Sequence, residues 1–200
     1  MSQSRSFLVV EDDIRIARGL TRVLQPLGRT DVAHSLAAGL DALPQRAWTA
    51  IFLDLSLPDG SGLALLERAR LLDVVAPTLV ITGCLSAANV NTAYDLGATC
   101  ICKPVAADRV TAFVQQCGLQ AASAESRRNA TVTAWQQRYR LTPTESLILQ
   151  QSVEGRSRAD VLADKGVAHE TLRKHVHNLL RKTGDASLVV AAQRALREAM

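Results

Sequence analysis

Short apolar runs alternate with amphipathic stretches over the first 120 residues of the chain. Five runs have the composition of strands, at residues 7–10, 31–33, 50–53, 78–81 and 100–102. Four of them are mainly apolar, which is typical of strands buried on both faces of a parallel sheet. Between them, apolar residues recur three and four positions apart, which predicts helices near residues 14–27, 36–43, 62–72, 87–96 and 106–117. Five such βα units predict a doubly wound α/β domain, (βα)5, whose sites lie beyond the carboxyl ends of the strands.

Beyond residue 118 only helical periodicity remains. Residues 121–138, rich in Ala, Ser, Gln and Arg, predict a partly helical linker between two domains at residues 1–120 and 139–200. The second domain should be an all-α module of four helices, near residues 143–154, 158–165, 169–182 and 186–198. Thr142, Pro143 and Glu145 have the spacing of a capping box with a proline in the first turn. Three glycines are typical of helix ends: Gly155, Gly166 and Gly184.

The amino-acid composition limits the classes of protein to which the chain can belong. With 48% hydrophobic and 21% charged residues, the chain has enough apolar material for globular cores. Its longest apolar stretches reach four or five residues, against about 20 for a membrane helix. The acids Glu11, Asp12 and Asp13 follow a short polar start too soon for a signal peptide. We therefore expect a cytoplasmic protein that does not span a membrane. The four cysteines lack the spacing of a zinc site.

Basic residues are concentrated toward the end of the chain. Residues 1–120 carry ten Lys and Arg against eleven Asp and Glu, whereas residues 121–200 carry thirteen against eight. The predicted helix at 169–182 is basic on one face and apolar on the other. Charge alone would fit a solvated surface. A short preceding helix and a turn at Gly166 instead favour a helix-turn-helix, in which the second helix enters the major groove of double-stranded DNA.

Polar groups follow four of the five predicted strands. Glu11 and Asp12 follow the first strand, and Asp54 follows the third. Three carboxylates at one sheet edge would repel one another unless a hard cation lay among them, and Mg²⁺ prefers such oxygen ligands. Thr82 follows the fourth strand and Lys103 the fifth. This set suits phosphoryl transfer, in which a carboxylate acts as nucleophile and cations neutralise the transferred group.

Four segments carry a resemblance to a known family. They are FLVVEDD at 7–13, IFLDLSLPDG at 51–60, VITG at 80–83 and CKPV at 102–105. In this order and on these strands they resemble the signature segments of the receiver domain of bacterial two-component response regulators. The resemblance implies that a sensor histidine kinase phosphorylates Asp54. It also implies an Mg²⁺ ion held by Asp12, Asp54, the backbone carbonyl of Ser56 and, through water, Glu11.

The same resemblance assigns the rest of the pocket. Glu11 and Asp12 would form the acid pair, Thr82 the switch hydroxyl and Lys103 the phosphate-pairing cation, with a cis bond between Lys103 and Pro104. The chain departs from the family at Cys100, where receivers often carry a Tyr or Phe that rotates inward with the switch hydroxyl. Tyr94 on the preceding helix could substitute, but a surface or packing role is favoured.

The basic module has a resemblance of its own. LTPTE at 141–145, VEGRSR at 153–158 and TLRKHVHNLLRKTG at 171–184 resemble the LuxR-type DNA-binding domain of the NarL/FixJ class. The resemblance implies base contacts from Arg173, Lys174 and His177. It implies phosphate contacts from Thr171, Asn178 and Lys182. In that family the last helix pairs across a dimer, so that two recognition helices read half-sites about one helical turn apart.

Together these patterns predict a DNA-binding response regulator. Phosphorylation of Asp54 would shift the receiver to an active state that promotes dimerisation and transcriptional control at inverted-repeat promoter sites. The chain would be a phosphoacceptor rather than an enzyme, with autophosphorylation from small donors and autodephosphorylation as its own chemistry. One alternative is an atypical regulator with a vestigial pocket and constitutive DNA binding. A haloacid-dehalogenase-like phosphotransferase is disfavoured, because its nucleophile normally follows the first strand in a DxD arrangement, where this chain has Glu11-Asp12-Asp13.

Overall fold

The chain divides into two compact units, Met1–Gly118 and Leu119–Met200. The computed structural model describes residues 5–83, 86–155 and 169–200. Within these ranges the first unit is an α/β domain and the second contains only helices. The predicted fold class is therefore confirmed. None of the helices in the described ranges is long and apolar enough to cross a membrane.

The first unit is built on a five-stranded parallel sheet. Its strands are β1 (Ser6–Val10), β2 (Arg29–Ala33), β3 (Ala50–Leu53), β6 (Thr78–Thr82) and β7 (Thr99–Cys102). They lie in the order β2-β1-β3-β6-β7 and all pair in parallel. Two short strands, β4 (Ser56–Leu57) and β5 (Gly60–Ser61), pair antiparallel in the loop after β3. The central position of β1 and β3 brings their carboxyl ends side by side.

Helices cover both faces of this sheet. They are α1 (Ile14–Leu24), α2 (Leu36–Ala42), α3 (Leu63–Leu71), α4 (Ala87–Asp95) and α5 (Ala107–Arg138), and a short 3₁₀ helix spans Leu43–Gln45. Alternate strand residues point to opposite faces. Leu8 and Val10 therefore pack in one core with residues of α3 and α4, while Phe7 and Val9 pack in the other with residues of α1 and α5. Burial on both faces explains why these strands are continuous apolar runs.

The segment predicted as a partly helical linker lies within one continuous helix. Helix α5 runs through residues 107–138, so the helix predicted to stop at residue 117 continues across the division between the units. Its composition explains the continuation, because Ala, Gln and Arg are strong helix formers and proline is absent from it. Near its end, Val132 and Trp135 are buried in the core of the second unit.

The second unit also contains helices α6 (Pro143–Val153), α7 (His169–Thr183) and α8 (Leu188–Glu198). The predicted capping box at the start of α6 is confirmed, since Thr142 and Glu145 exchange side-chain-to-backbone hydrogen bonds. Gly155 and Gly184 have φ angles of 77° and 76°, the left-handed conformation that ends helices. The helix predicted at residues 158–165 and the turn at Gly166 lie outside the described residues.

Candidate functional site

Three carboxylates meet at the carboxyl edge of the sheet. Glu11 and Asp54 directly follow the neighbouring strands β1 and β3, and both are buried, whereas Asp12 is exposed. One oxygen from each carboxylate lies within 4.8 Å of one from each of the others. The backbone holds this arrangement, because the Asp54 N–H donates to the Val10 carbonyl at 2.9 Å and the Glu11 N–H to the Ala33 carbonyl at 3.0 Å. The sequence prediction that these acids converge is therefore matched by the geometry.

A lysine bridges the two buried carboxylates. Lys103 Nζ lies 2.8 Å from Glu11 Oε1, 2.7 Å from Glu11 Oε2 and 2.6 Å from Asp54 Oδ2. The Lys103 N–H donates to the Thr82 carbonyl at 3.0 Å, which ties the lysine to the end of β6. The bond from Lys103 to Pro104 is cis, as predicted. The ammonium group thus supplies the counter-charge for both buried acids.

Burial and ion pairing act in opposite directions on these groups. Burial raises the pKa of Glu11 above its ordinary value, and the hydrogen bond from Lys103 only partly offsets that effect. For Lys103, burial lowers the pKa, but the hydrogen bonds to Asp54 and Glu11 outweigh burial and raise it. The lysine therefore remains charged over the physiological pH range.

Two further contacts shape the loop that carries Asp54. The Ser56 N–H donates to Asp54 Oδ1 at 3.0 Å, so the second carboxylate oxygen also has a fixed partner. Gly62 returns close to the start of the loop, where a Cβ atom would lie only 2.2 Å from the Asp54 carbonyl oxygen. Any other residue at position 62 would push this backbone away. Sequence reasoning missed Gly62, because a single glycine in a loop gives no indication of what it approaches.

His34 was also missed. It is exposed directly after β2, and its Nδ1 lies 2.8 Å from the Glu11 carbonyl oxygen. Because the carbonyl can only accept, Nδ1 carries the proton in this contact. The histidine therefore supports the backbone of an acid in the cluster from the end of β2. Its partner lies 23 residues away in the chain, which no local pattern reveals.

The residues predicted for the switch lie on β6 and β7. Thr82 is completely buried at the end of β6. Cys100 is half-buried on β7, pairs in register with Val80 and packs against the core. Burial raises the pKa of the Cys100 thiol, as expected of a packing thiol. Tyr94 is 77% exposed on α4, which fits the predicted surface role.

The donor set at the sheet edge fits a magnesium ion. Carboxylate oxygens are the ligands that Mg²⁺ prefers, and the ion usually keeps several waters. Asp12 and Asp54 would be direct ligands, with Glu11 beside them. The exposed Asp12 leaves the cluster open to solvent on one side. When bound there, Mg²⁺ neutralises charge on phosphoryl oxygens.

Helix α7 presents a cationic face. Leu172, Val176 and Leu179 are buried in the core of the second unit, at helical spacing. The residues predicted to contact bases are exposed: Arg173, Lys174 and His177. Thr171 is exposed and Asn178 half-buried. Arg181 was not predicted as a contact, yet it is exposed and lies four residues after His177.

Lys182, which the sequence predicts to contact a DNA phosphate, forms an ion pair within the second unit. Its Nζ lies 2.6 Å from Oε2 of the buried Glu145 and 3.0 Å from the Arg140 carbonyl. A phosphate contact would require this ion pair to open and leave a buried carboxylate without its cation, which is costly. The physical reason for the difference is position: Lys182 lies at the edge of the exposed face, beside α6. Sequence spacing alone does not distinguish it from Arg181.

Comparison with known proteins places this site in a family. Residues 7–115 match the response regulator receiver domain family. RegA, the photosynthetic apparatus regulatory protein of Rhodobacter capsulatus, is 33% identical over 113 residues, which cover 56% of this chain and 61% of RegA. The transcriptional regulatory protein FixJ of Bradyrhizobium diazoefficiens is 24% identical over 202 residues, covering 100% of this chain and 98% of FixJ.

The fold comparison extends over the whole chain. The crystal structure of full-length FixJ from B. japonicum matches with a TM-score of 0.56 at 24% identity, covering 100% of this chain and 98% of FixJ. At this identity the match shows a shared fold. The receiver match spans more than half of the chain and contains the acid cluster, Thr82 and Lys103. The chain therefore belongs to the response regulators, with a receiver domain as its first unit.

Proposed function

We propose that the first unit is a magnesium-dependent phosphoacceptor and that Asp54 receives the phosphoryl group from a histidine of a partner sensor kinase. In this step a carboxylate oxygen of Asp54 forms the O–P bond while the N–P bond to the kinase imidazole breaks, and the imidazole takes up a proton. The observation that carries the proposal is the Lys103 ammonium 2.6 Å from Asp54 Oδ2, beside two further acids. That arrangement holds a nucleophilic carboxylate next to a cation that can pair with the transferred group.

Each pocket residue has a role in this proposal. Asp12, Asp54 and the backbone carbonyl of Ser56 bind Mg²⁺, with Glu11 acting through water. Lys103 pairs with the phosphoryl oxygens. Thr82 hydrogen-bonds the phosphorylated Asp54 and changes its position with it, which is how the receiver surface responds. Because Cys100 replaces the usual aromatic residue, the hydroxyl acts here without a rotating ring.

We further propose that the second unit binds double-stranded DNA. The exposed cations of α7 and the excess of Lys and Arg over Asp and Glu in residues 121–200 support DNA binding. The name of FixJ, a transcriptional regulatory protein that the chain matches over its whole length, also supports it. Arg173, Lys174 and His177 would read bases, while Thr171 and Asn178 would contact phosphates. Phosphorylation would favour a homodimer on inverted-repeat promoter sites in the cytoplasm.

Intact-protein mass spectrometry tests the acceptor. The full chain is incubated with MgCl₂ and acetyl phosphate, beside Asp54→Asn and beside Asp73→Asn, which changes an exposed carboxylate outside the site. We expect one added phosphoryl group in the wild type and in Asp73→Asn, and none in Asp54→Asn. Omitting Mg²⁺ should abolish the gain. A wild type that gains no phosphoryl group from small donors or a phosphorylated kinase would contradict the proposal and favour a vestigial pocket.

A further inference from the structure

The loop that follows Asp54 is fastened to helix α2 by one side chain. Asp59 lies in the turn between β4 and β5, and its Oδ1 accepts a hydrogen bond from the Leu36 N–H at 2.7 Å. Its Oδ2 accepts one from the Ala37 N–H at 2.8 Å. These N–H groups open α2 and have no partner within that helix. The hydrogen bonds from Ala37 and Leu36 lower the pKa of Asp59, so both of its oxygens serve as anionic acceptors at neutral pH.

A second contact lies at the same place. Gly60 follows Asp59 with a φ of 154°, and a Cβ atom there would lie 2.9 Å from Leu36 Cδ2. The backbone of the turn at Gly60 therefore lies close to the side chain of Leu36, the first residue of α2. Helix α2 also has a local cap, since Ser35 Oγ accepts from the Ala38 N–H at 3.2 Å. Asp59 is thus an additional acceptor that joins two elements rather than the helix's own cap.

The other end of this loop is also fixed. The Gly62 N–H donates to the Leu55 carbonyl at 3.0 Å, and Leu57 is buried in the core. Between these anchors lies Ser56, whose N–H donates to Asp54 Oδ1 at 3.0 Å. Within the turn, Gly60 pairs with Leu57 in the β4–β5 ladder. The approach of Asp59 and Gly60 to α2 ties the tip of the turn, at residues 58–60, to the rest of the domain.

We infer that Asp59 is a positioning residue for the phosphoacceptor site. By tying the turn between β4 and β5 to the start of α2, it holds Ser56 where its backbone contacts Asp54 and faces the metal ligands. The inference rests on the proposed function, since that function assigns the Ser56 carbonyl to Mg²⁺. Asp59 itself touches neither the metal ligands nor Lys103, so it acts through the backbone of the loop.

Magnesium binding by two matched variants tests this role. Asp59→Ala removes the link between the loop and α2, whereas Ser35→Ala removes the local cap of the same helix and leaves the link intact. Calorimetric titration of the full chain with MgCl₂ should show about 10-fold weaker binding in Asp59→Ala, the size typical of a lost partner beyond the ligands themselves. Ser35→Ala should bind as the wild type does. Asp59→Asn, which keeps one acceptor oxygen, should lie between them.

Hydrogen exchange provides a readout that does not depend on the metal. Peptides covering residues 55–62 should exchange faster in metal-free Asp59→Ala than in Ser35→Ala, because the tip of the turn is released.

Equal Mg²⁺ affinity in Asp59→Ala and the wild type would overturn the inference and leave the proposed function intact. Equal weakening in Asp59→Ala and Ser35→Ala would also overturn it, since the effect would then belong to α2. A wild type that binds no Mg²⁺ would refute the proposed function and the inference together.

Discussion

At the scale of single residues, Lys103 determines how two buried carboxylates coexist. Its ammonium lies within 2.8 Å of oxygens on both Glu11 and Asp54. Without it, the two buried carboxylates would face each other as like charges, and the pKa of Glu11 would rise further. The lysine therefore stabilises the fold and also occupies the place where it can meet an incoming phosphoryl group.

Lys103→Met keeps the length of the side chain and removes the charge. We expect a loss of about 1–3 kcal/mol in the free energy of unfolding, because the carboxylates lose a charged hydrogen-bond partner. We also expect Mg²⁺ to raise the Tm more in this variant than in the wild type, because the divalent cation then replaces the missing counter-charge. Scanning calorimetry of the full chain, with and without MgCl₂, measures both effects.

Arg109→Ala is the matched control for that experiment. Arg109 is an exposed cation on α5, near Lys103 in sequence, and its removal should change neither the Tm nor the response to Mg²⁺. If Mg²⁺ raised the Tm of Lys103→Met no more than that of the wild type, the lysine would not be acting as the counter-charge of the metal ligands.

The strand-end residues of the site were predictable from the sequence for a physical reason. Parallel strands bring their carboxyl ends to one edge, so Glu11, Asp54 and Lys103 could be placed together once the strands were recognised. Asp59 and His34 could not be placed. Each contacts a backbone group about 23 residues away, in an element whose closeness depends on packing rather than on local periodicity.

At the scale of elements, local periodicity predicted which segments are helices and strands better than it predicted where they end. β2 is the least apolar strand because it lies at the edge of the sheet and pairs only with β1. Helix α5 exceeds its predicted length because the single Gly118 does not outweigh the strong helix formers that follow it, and no proline interrupts the helix. Trp135 is buried among residues of the second unit, and the sequence pattern of the linker does not indicate which residues these are.

We expect the ion pair between Glu145 of α6 and Lys182 of α7 to stabilise the second unit. Burial would raise the pKa of Glu145, but the hydrogen bonds from Lys182 and the Thr142 backbone outweigh it and lower the pKa below the ordinary value near 4.5. We expect Lys182→Met to cost about 1–3 kcal/mol, and a double-mutant cycle with Glu145→Gln to show a coupling energy of about 1 kcal/mol. Urea unfolding followed by the fluorescence of Trp135, in a Trp48→Phe background, measures the free energy of unfolding of the second unit.

The pH dependence of that coupling has a definite sign. A carboxyl group whose pKa is lower in the folded state stabilises the fold fully above its unfolded pKa, and this contribution is lost as the pH falls through the folded value. The coupling should therefore be constant from pH 6 to pH 7 and decline below about pH 4.5. A coupling energy near zero at pH 7 would show that Lys182 is free to contact DNA phosphates, as the sequence resemblance implies.

At the scale of the whole molecule, charge separates the chain into two parts with different chemistry. The first 120 residues carry a net charge of −1 and the remaining 80 a net charge of +5. The first part places Glu11 and Asp54 against Lys103, while the second part exposes cations on α7. In the proposed function a phosphoryl group adds negative charge to the first part, and we expect its effect on DNA binding to come from a change in the relative stability of two states of the protein.

Measuring DNA affinity as a function of salt concentration tests whether the second unit binds DNA. The same assay tests whether phosphorylation of the first unit changes that binding. Using fluorescence anisotropy on a 30-base-pair duplex, we expect log K to fall linearly with log [salt]. Arg173→Ala and Lys174→Ala, which lose the proposed base contacts, should each cost about 1–3 kcal/mol of binding free energy and change the slope little. Arg68→Ala, which removes an exposed cation on α3, is the control and should bind DNA as the wild type does.

Treatment with acetyl phosphate and Mg²⁺ should tighten DNA binding by the wild type and leave DNA binding by Asp54→Asn unchanged. If the phosphorylated and unphosphorylated proteins bound equally well, DNA binding would be constitutive, and the receiver pocket would have no role in controlling it.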